Sequence, residues 1–196
     1  ARLSEIASLI QRYFPTNKSI GCFSRVTDIT WKTDEELLEL RKAGYDGLTI
    51  GIETGDDKAL KFMNKGYEAQ DIAAQCRRLD NAGIAYNFFY LTGISGKGKG
   101  EKGAMDTADI CKQLHPQIIG ANMLTIYPNA ELYQEMQKGN WQEETEIEKY
   151  KELRTLVDNL HIPVWFAAGG GAKTKTTQST RPPRKREKFY IIEKKI

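Results

Sequence analysis

The stretch Gly47-Leu-Thr-Ile-Gly-Ile-Glu-Thr-Gly55 and its continuation to residue 66 decide how the chain folds. Residues 48–52 form a short apolar run bounded by glycines, which predicts a buried strand. From residue 56 onward the apolar residues recur at helical spacing, so a helix follows the strand after a tight polar turn. Ligands of α/β proteins bind where strands end and helices begin, and Glu53 lies at that edge.

Composition indicates one soluble domain. The chain has 196 residues, of which 40% are apolar and 28% charged, and this is ordinary for a globular protein. No apolar run approaches the roughly 18 residues of a membrane span, and the first residues do not resemble a signal sequence. Cys22, Cys76 and Cys111 lie too far apart to indicate a disulfide framework or a local metal cluster. We therefore expect reduced, buried or half-buried thiols and a cytoplasmic location.

Helical and strand patterns alternate along the chain. A helix over residues 3–14 ends at Pro15, and Thr33 with Glu36 is a capping-box signature for a second helix. Strands are predicted over 19–23, 48–52, 85–91, 118–126 and 162–166, with further helices over 69–81 and 105–114, around 132–136, and over 144–160. Repeated helix, glycine and strand units of this kind predict a parallel βα array. In the helix over 144–160, the inward face is predicted to hold Tyr150, Leu153, Leu156, Val157 and Leu160.

The end of the chain differs from its body in charge. Residues 173–195 hold nine Lys and Arg against two Glu, so a net charge of +3 for the whole chain leaves −4 for the remainder. We predict a barrel domain over 1–168, a flexible connector over 169–182, and a basic, amphipathic C-terminal helix over 183–196. The basic tail also leaves open the binding of nucleic acid.

Three segments resemble those of radical S-adenosylmethionine (radical SAM) enzymes. Gly51-Ile-Glu-Thr-Gly55, with Met63-Asn-Lys-Gly66 after it, is similar to their fourth strand and following helix. Thr92-Gly-Ile-Ser-Gly96 resembles the GxIxGxxE motif of the fifth strand, with a small insertion before Glu101. Tyr127-Pro-Asn-Ala-Glu-Leu-Tyr133 resembles the ending of the sixth strand, although Asn129 replaces a glycine. The resemblance is greatest to the group that includes cobalamin-dependent and oxygen-independent coproporphyrinogen oxidase-like members.

The resemblance implies a set of residues that bind SAM. Glu53 would accept hydrogen bonds from the ribose hydroxyls, since a carboxylate can accept two from a vicinal diol. Lys65 would face the SAM carboxylate as a point charge, and Arg25 would also face the ligand. The backbone of Gly93, Ile94 and Gly96 would contact the adenine. For each lysine and arginine, a solvated surface role stays open.

The family also uses a CxxxCxxC loop, whose thiolates hold a 4Fe–4S cluster that cleaves SAM to a 5′-deoxyadenosyl radical for hydrogen abstraction. This sequence has no such loop. We therefore expect a partial parallel (βα) barrel, with four parallel strands corresponding to strands three to six of six. The cluster ligands and the rest of the barrel would lie upstream, and the fragment alone would be inactive. Its open sheet edge predicts self-association.

Two other classes of function remain open. The first is an iron-independent βα-barrel lyase that binds a phosphorylated substrate with Lys65, Lys97 or Lys99. The second is a non-catalytic RNA-binding module that uses the basic tail. The sequence contains no Walker motif, no His-Glu-x-x-His motif and no Ser/His/Asp pattern.

Overall fold

One six-stranded sheet organises the molecule. A computed structural model describes residues 2–169 and the backbone of residues 189–194. Five strands are parallel and pair in chain order: β1 (Ile20–Arg25), β2 (Tyr45–Glu53), β3 (Ala85–Thr92), β4 (Ile118–Met123) and β5 (Val164–Gly169). The sixth, β6 (Phe189–Lys194), pairs antiparallel with β5.

Helices connect the parallel strands. They are α1 (Arg2–Tyr13), α2 (Val26–Thr30), α3 (Asp34–Lys42), α4 (Asp57–Phe62), α5 (Ala69–Ala82), α6 (Gly100–Cys111), α7 (Glu131–Gln137) and α8 (Glu146–Asn159). The predicted capping box before α3 is confirmed, because Glu36 N–H donates to Thr33 Oγ1 at 3.2 Å and Thr33 N–H donates to the Glu36 carboxylate at 2.9 Å. No helix in the described part of the chain is long and apolar enough to cross a membrane.

The two faces of the sheet differ. One face is fully buried and packs against α5, α6 and α8 through residues such as Ile50, Phe88 and Ile119. On the opposite face, alternate residues of the same strands are half-buried or exposed, and an open cavity of about 470 Å³ lies over the amino-terminal halves of β1 to β3. Phe23 and Asn87 line that cavity. This is the arrangement of a barrel wall, with helices outside and an open inner face.

The predicted α/β fold, a partial parallel (βα) barrel, is confirmed. The expectation that four of these strands are parallel barrel strands is wrong, because the strand predicted over 162–166 forms β5 and pairs parallel with β4 as a fifth. The C-terminal helix predicted over 183–196 is also wrong where the structure describes it, since residues 189–194 form the strand β6. Phe-Tyr-Ile-Ile is a run with high β propensity, and pairing with the free edge of β5 satisfies its backbone. The predicted connector lies outside the described residues, apart from Gly169, which ends β5.

Smaller differences concern two helices and the sheet edge. Helix α6 begins at Gly100, five residues before the predicted start. On α8, Tyr150 is 59% exposed and therefore does not face inward as predicted, whereas Glu152 is fully buried. Strand β1 forms one edge of the sheet, and self-association through that edge stays a prediction.

Candidate functional site

The carboxyl end of β2 has an irregular backbone that directs Glu53. The register with β3 shifts between Gly51 and Glu53, and Glu53 has a φ of +60°. Bulges next to functional sites commonly redirect a side chain, and a positive φ is uncommon for a residue with a Cβ. A Cβ added to Gly51 would lie 2.9 Å from Glu53 Oε1. The carboxylate is thus folded back over Gly51, and a side chain at this position would displace it.

The Glu53 carboxylate retains unused capacity to accept hydrogen bonds. Its side chain is 19% exposed, and Lys65 Nζ lies 3.7 Å from Oε1 as its ion-pair partner. Within residues 2–169, no hydrogen bond to this carboxylate is formed, although two carboxylate oxygens can accept about four. Glu53 and Lys65, which the sequence predicts to serve one ligand, therefore lie side by side.

Tyr67 stabilises the irregular end of β2 through its hydroxyl group. Its hydroxyl donates to the carbonyl oxygens of Ile52, at 3.0 Å, and Gly51, at 3.2 Å. Burial raises the pKa of Tyr67 above its ordinary value, and the nearby charge of Glu53 adds to this effect. The phenol therefore stays protonated and keeps donating to the bulge.

Replacing Tyr67 with Phe is expected to lower the free energy of unfolding by about 1–2 kcal/mol, because the carbonyl oxygens of Gly51 and Ile52 lose the hydrogen bond from the hydroxyl, although Ile52 keeps the one from Thr54 N–H. Urea unfolding followed by circular dichroism measures this change. Tyr13→Phe is the matched control, since Tyr13 is 68% exposed and should have no effect. Equal stability of Tyr67→Phe and the unmodified chain would show that the hydroxyl does not support the bulge.

The turn after β2 is anchored to α6. Thr54 N–H donates to the Ile52 carbonyl at 2.7 Å, and Gly55 N–H donates to Thr107 Oγ1 at 2.7 Å. Asp56 then caps α4, since its side chain accepts hydrogen bonds from two backbone N–H groups of that helix. The segment that carries Glu53 is therefore fixed at both ends.

The segment after β3 is buried and packs closely on other elements. Gly93 and Gly96 have φ values of +88° and +80°. A Cβ at Gly93 would lie 2.8 Å from Lys149 Cε, and one at Gly96 would lie 2.7 Å from Trp141 Nε1. Ile94, between them, is 1% exposed. The glycines are thus explained by contacts within the protein, which the sequence interpretation did not foresee.

Glu53 and this segment lie at the same edge of the sheet. Strands β2 and β3 are parallel neighbours, and Glu53 is in register with Tyr90, three residues before Gly93. Helix α6 contacts both segments, because Thr107 binds Gly55 and a Cβ at Gly103 would lie 2.6 Å from Ser95 Oγ. The carboxyl ends of β2 and β3 therefore form one continuous rim.

Arg25 ends β1 at this rim but binds elsewhere. It is in register with Gly51. Its guanidinium pairs with Asp28 at 2.8 Å, which raises the pKa of Arg25 and lowers the pKa of Asp28, and it packs over Trp31 at 5.7 Å from the ring centroid. The structure thus brings Glu53 and Lys65 together and leaves Arg25 paired with its own helix.

An iron–sulfur cluster does not fit the described residues. Cys22 is half-buried, Cys76 and Cys111 are buried, and burial raises the pKa of each thiol, which disfavours the thiolate that a metal needs. Residues 2–169 contain no group of three Cys, His, Asp or Glu placed to hold a metal ion. The prediction of free, buried or half-buried thiols is confirmed.

Two buried carboxyl groups near the rim were missed by the sequence interpretation. Glu152 on α8 and Glu144 just before α8 lie next to the backbone of Gly93 and Gly100. The motif glutamate, Glu101, is instead exposed and accepts a hydrogen bond from Thr155. Helical spacing could have indicated that Glu152 is buried. It lies four residues before Leu156 and eight before Leu160, and therefore on the same inward face of α8.

The fold and the rim define a barrel-type α/β protein, a class whose members bind ligands at the carboxyl ends of their strands. The model of the Radical SAM superfamily matches residues 2–109, which is more than half of the chain. The chain therefore belongs to the radical SAM superfamily. No curated protein matches it.

Solved structures share the fold at low sequence identity. The archaeal Methanocaldococcus infernus Elp3 superimposes with a TM-score of 0.59 at 14% identity, over 70% of this chain and 32% of that one. The radical SAM methyltransferase TsrM from Kitasatospora setae, solved with cobalamin and a 4Fe–4S cluster, gives 0.54 at 18% identity, over 70% and 27%. A domain of pyruvate-formate lyase-activating enzyme from Bacteroides vulgatus gives 0.55 at 14% identity, over 87% and 91%. The chain thus spans about a third or less of the first two proteins.

Proposed function

We propose that this chain is the SAM-binding part of a radical SAM enzyme. One observation carries the proposal: Glu53 is held back over Gly51 on the inner face and accepts no hydrogen bond within residues 2–169. Glu53 has a strained backbone conformation, and its carboxylate has no hydrogen-bond donor within residues 2–169. Such a carboxylate is suited to a ligand that supplies the hydrogen-bond donors. The ribose of SAM brings two adjacent hydroxyls.

Neighbouring residues would bind the other parts of SAM. The adenine would lie against the segment that contains Gly93, Ile94 and Gly96, one strand away from Glu53. Lys65 would turn from Glu53 toward the carboxylate of SAM, because its ion pair at 3.7 Å is loose and half-exposed pairs contribute little. Arg25 would contact the ligand only after leaving Asp28.

Membership of the superfamily implies reductive cleavage of SAM at a 4Fe–4S cluster, which yields the 5′-deoxyadenosyl radical that abstracts hydrogen from a substrate. The described residues do not fit the cluster. Its ligands would be supplied from outside residues 2–169, and we propose that this part alone binds SAM without cleaving it.

The test is binding of S-adenosylhomocysteine (SAH), which has the adenosine of SAM and carries no sulfonium charge. Isothermal titration calorimetry of the chain with SAH should give saturable binding, and inorganic phosphate should neither bind nor displace it. Phosphate binding without SAH binding would instead favour the iron-independent lyase with Lys65, Lys97 or Lys99. Absence of binding by both ligands would contradict the proposal for this chain.

A further inference from the structure

A pair of buried carboxyl groups lies behind the segment from Gly93 to Gly100. Glu152 is 0% exposed and Glu144 is 4% exposed. Glu152 accepts from Tyr90 Oη at 2.5 Å and from Gly93 N–H at 2.8 Å. Glu144 Oε1 accepts from Gly100 N–H at 2.9 Å. The two side chains thus bind the first and last amides of the segment.

The surroundings of the pair favour one proton shared between its two members. Glu144 Oε2 is buried and has no donor among the described N–H and O–H groups. Two buried carboxylates side by side would repel each other, whereas a proton shared between them removes one of the two charges. Burial, with the hydrogen bond between the carboxyl groups, raises the pKa of Glu152 to about 8, and burial also raises the pKa of Glu144.

The pair is enclosed, and the charged groups around it have other partners or lie at its border. Glycines make the approach possible, because a Cβ at Gly100 would lie 2.3 Å from Glu144 Oε1 and 2.7 Å from Glu152 Oε2. Lys149 covers Gly93 but pairs with Glu143 at 2.7 Å. The titratable groups that face the pair are Tyr90 from β3, Lys149 and Glu148 from α8, and Glu143 from the preceding turn, while Glu101 on α6 binds Thr155.

We propose that Glu144 and Glu152 are positioning residues that act as one singly charged unit and hold the backbone from Gly93 to Gly100 in place. The importance of that segment for adenine rests on the proposed function, but the positioning does not. Glu101, which the motif resemblance suggests as the glutamate of this loop, is exposed and accepts from Thr155, so the segment is anchored by α8 and the turn before it.

The unit has a defined pH dependence. Because the pKa of Glu152 is raised in the folded state, its contribution is complete below the ordinary carboxyl pKa and is lost as the pH rises through about 8. Loss of the shared proton places two negative charges in one buried space, so the segment should open at alkaline pH while the core stays closed. Glu144→Gln should weaken this dependence, since the amide cannot ionise and can donate to the Glu152 carboxylate, although the burial of Glu152 is unchanged.

Hydrogen–deuterium exchange of single amides, measured by NMR and corrected for intrinsic exchange, tests the proposal. In the unmodified chain, protection of the Gly93 and Gly100 amides should fall at least about tenfold between about pH 6.5 and pH 9.5. The Leu79 amide in α5 is the reference for global opening and should not follow them. In Glu144→Gln this fall should be clearly smaller, because only one carboxyl group remains in the buried space, and the exposed Glu146→Gln on α8 should behave like the unmodified chain.

In Glu152→Ala, the Gly93 amide should lose its protection from exchange at every pH. If this variant does not fold, the pH dependence of exchange in Glu144→Gln still tests the proposal. The proposal is overturned if Glu144→Gln keeps the pH dependence of the unmodified chain, or if Gly93 stays protected in Glu152→Ala. A chain that shows the expected exchange but does not bind SAH would contradict the proposed function and leave the positioning intact.

Discussion

Glu53→Gln is expected to weaken SAH binding about tenfold to a hundredfold. The amide keeps the shape of the side chain but removes the charge and replaces one acceptor with a donor, so one ribose hydroxyl loses a charge-assisted hydrogen bond of about 1.5–3 kcal/mol. Titration calorimetry measures the change. Glu39→Gln, on the exposed surface of α3, is the matched control and should bind SAH like the unmodified chain.

Gly51→Ala provides a second route to the same result without removing the charge. Its Cβ would lie 2.9 Å from Glu53 Oε1 and would displace the carboxylate. Binding should weaken in both variants. If both bind SAH as the unmodified chain does, the carboxylate does not touch the ligand.

Gly55→Ala is expected to lower the free energy of unfolding by about 2–3 kcal/mol. The added Cβ would lie 2.7 Å from the backbone of Thr107 and 2.6 Å from Ile110 Cδ1, so α6 would have to move away from the turn. Overpacking of a close contact costs about 1–3 kcal/mol, and the hydrogen bond from Gly55 N–H to Thr107 is strained as well. Chemical denaturation measures this difference.

Gly47→Ala, in the strand β2 that precedes this turn, is the matched control. A Cβ at Gly47 would meet nothing within 4 Å, and its φ is not in the left-handed region. We expect unchanged or slightly higher stability for this variant, because alanine restricts the unfolded chain more than glycine does. Equal losses in both variants would mean that the packing of α6 on the turn is not the cause.

Local sequence patterns were sufficient to predict most of the fold. The alternation of β-rich runs with helical spacing located all five parallel strands, although it did not give their exact ends. Thr33 and Glu36 formed the predicted capping box because both partners are close in sequence. The strand Phe189–Lys194 was predicted to be helical because its apolar residues fit a helical stripe, and only the distant free edge of β5 could favour a strand.

The candidate site was predicted in part. The position of Glu53 beside Lys65 follows from a strand followed by a helix, which the local sequence determines. Its positive φ and the support from Tyr67 could not be predicted, since both depend on the register with β3. The buried carboxyl pair was missed because apolar periodicity favours Leu and Tyr on the inner face, whereas Glu152 is buried through distant partners.

NMR mapping of SAH on the labelled chain tests the central claim most directly, because it reports which backbone amides the ligand reaches. The account predicts that the largest shift changes occur at residues 51–55 and 93–96, on the rim formed by β2 and β3. Changes centred on the cavity around Phe23 and Asn87, at the other end of the strands, or no saturable changes at all, would contradict it.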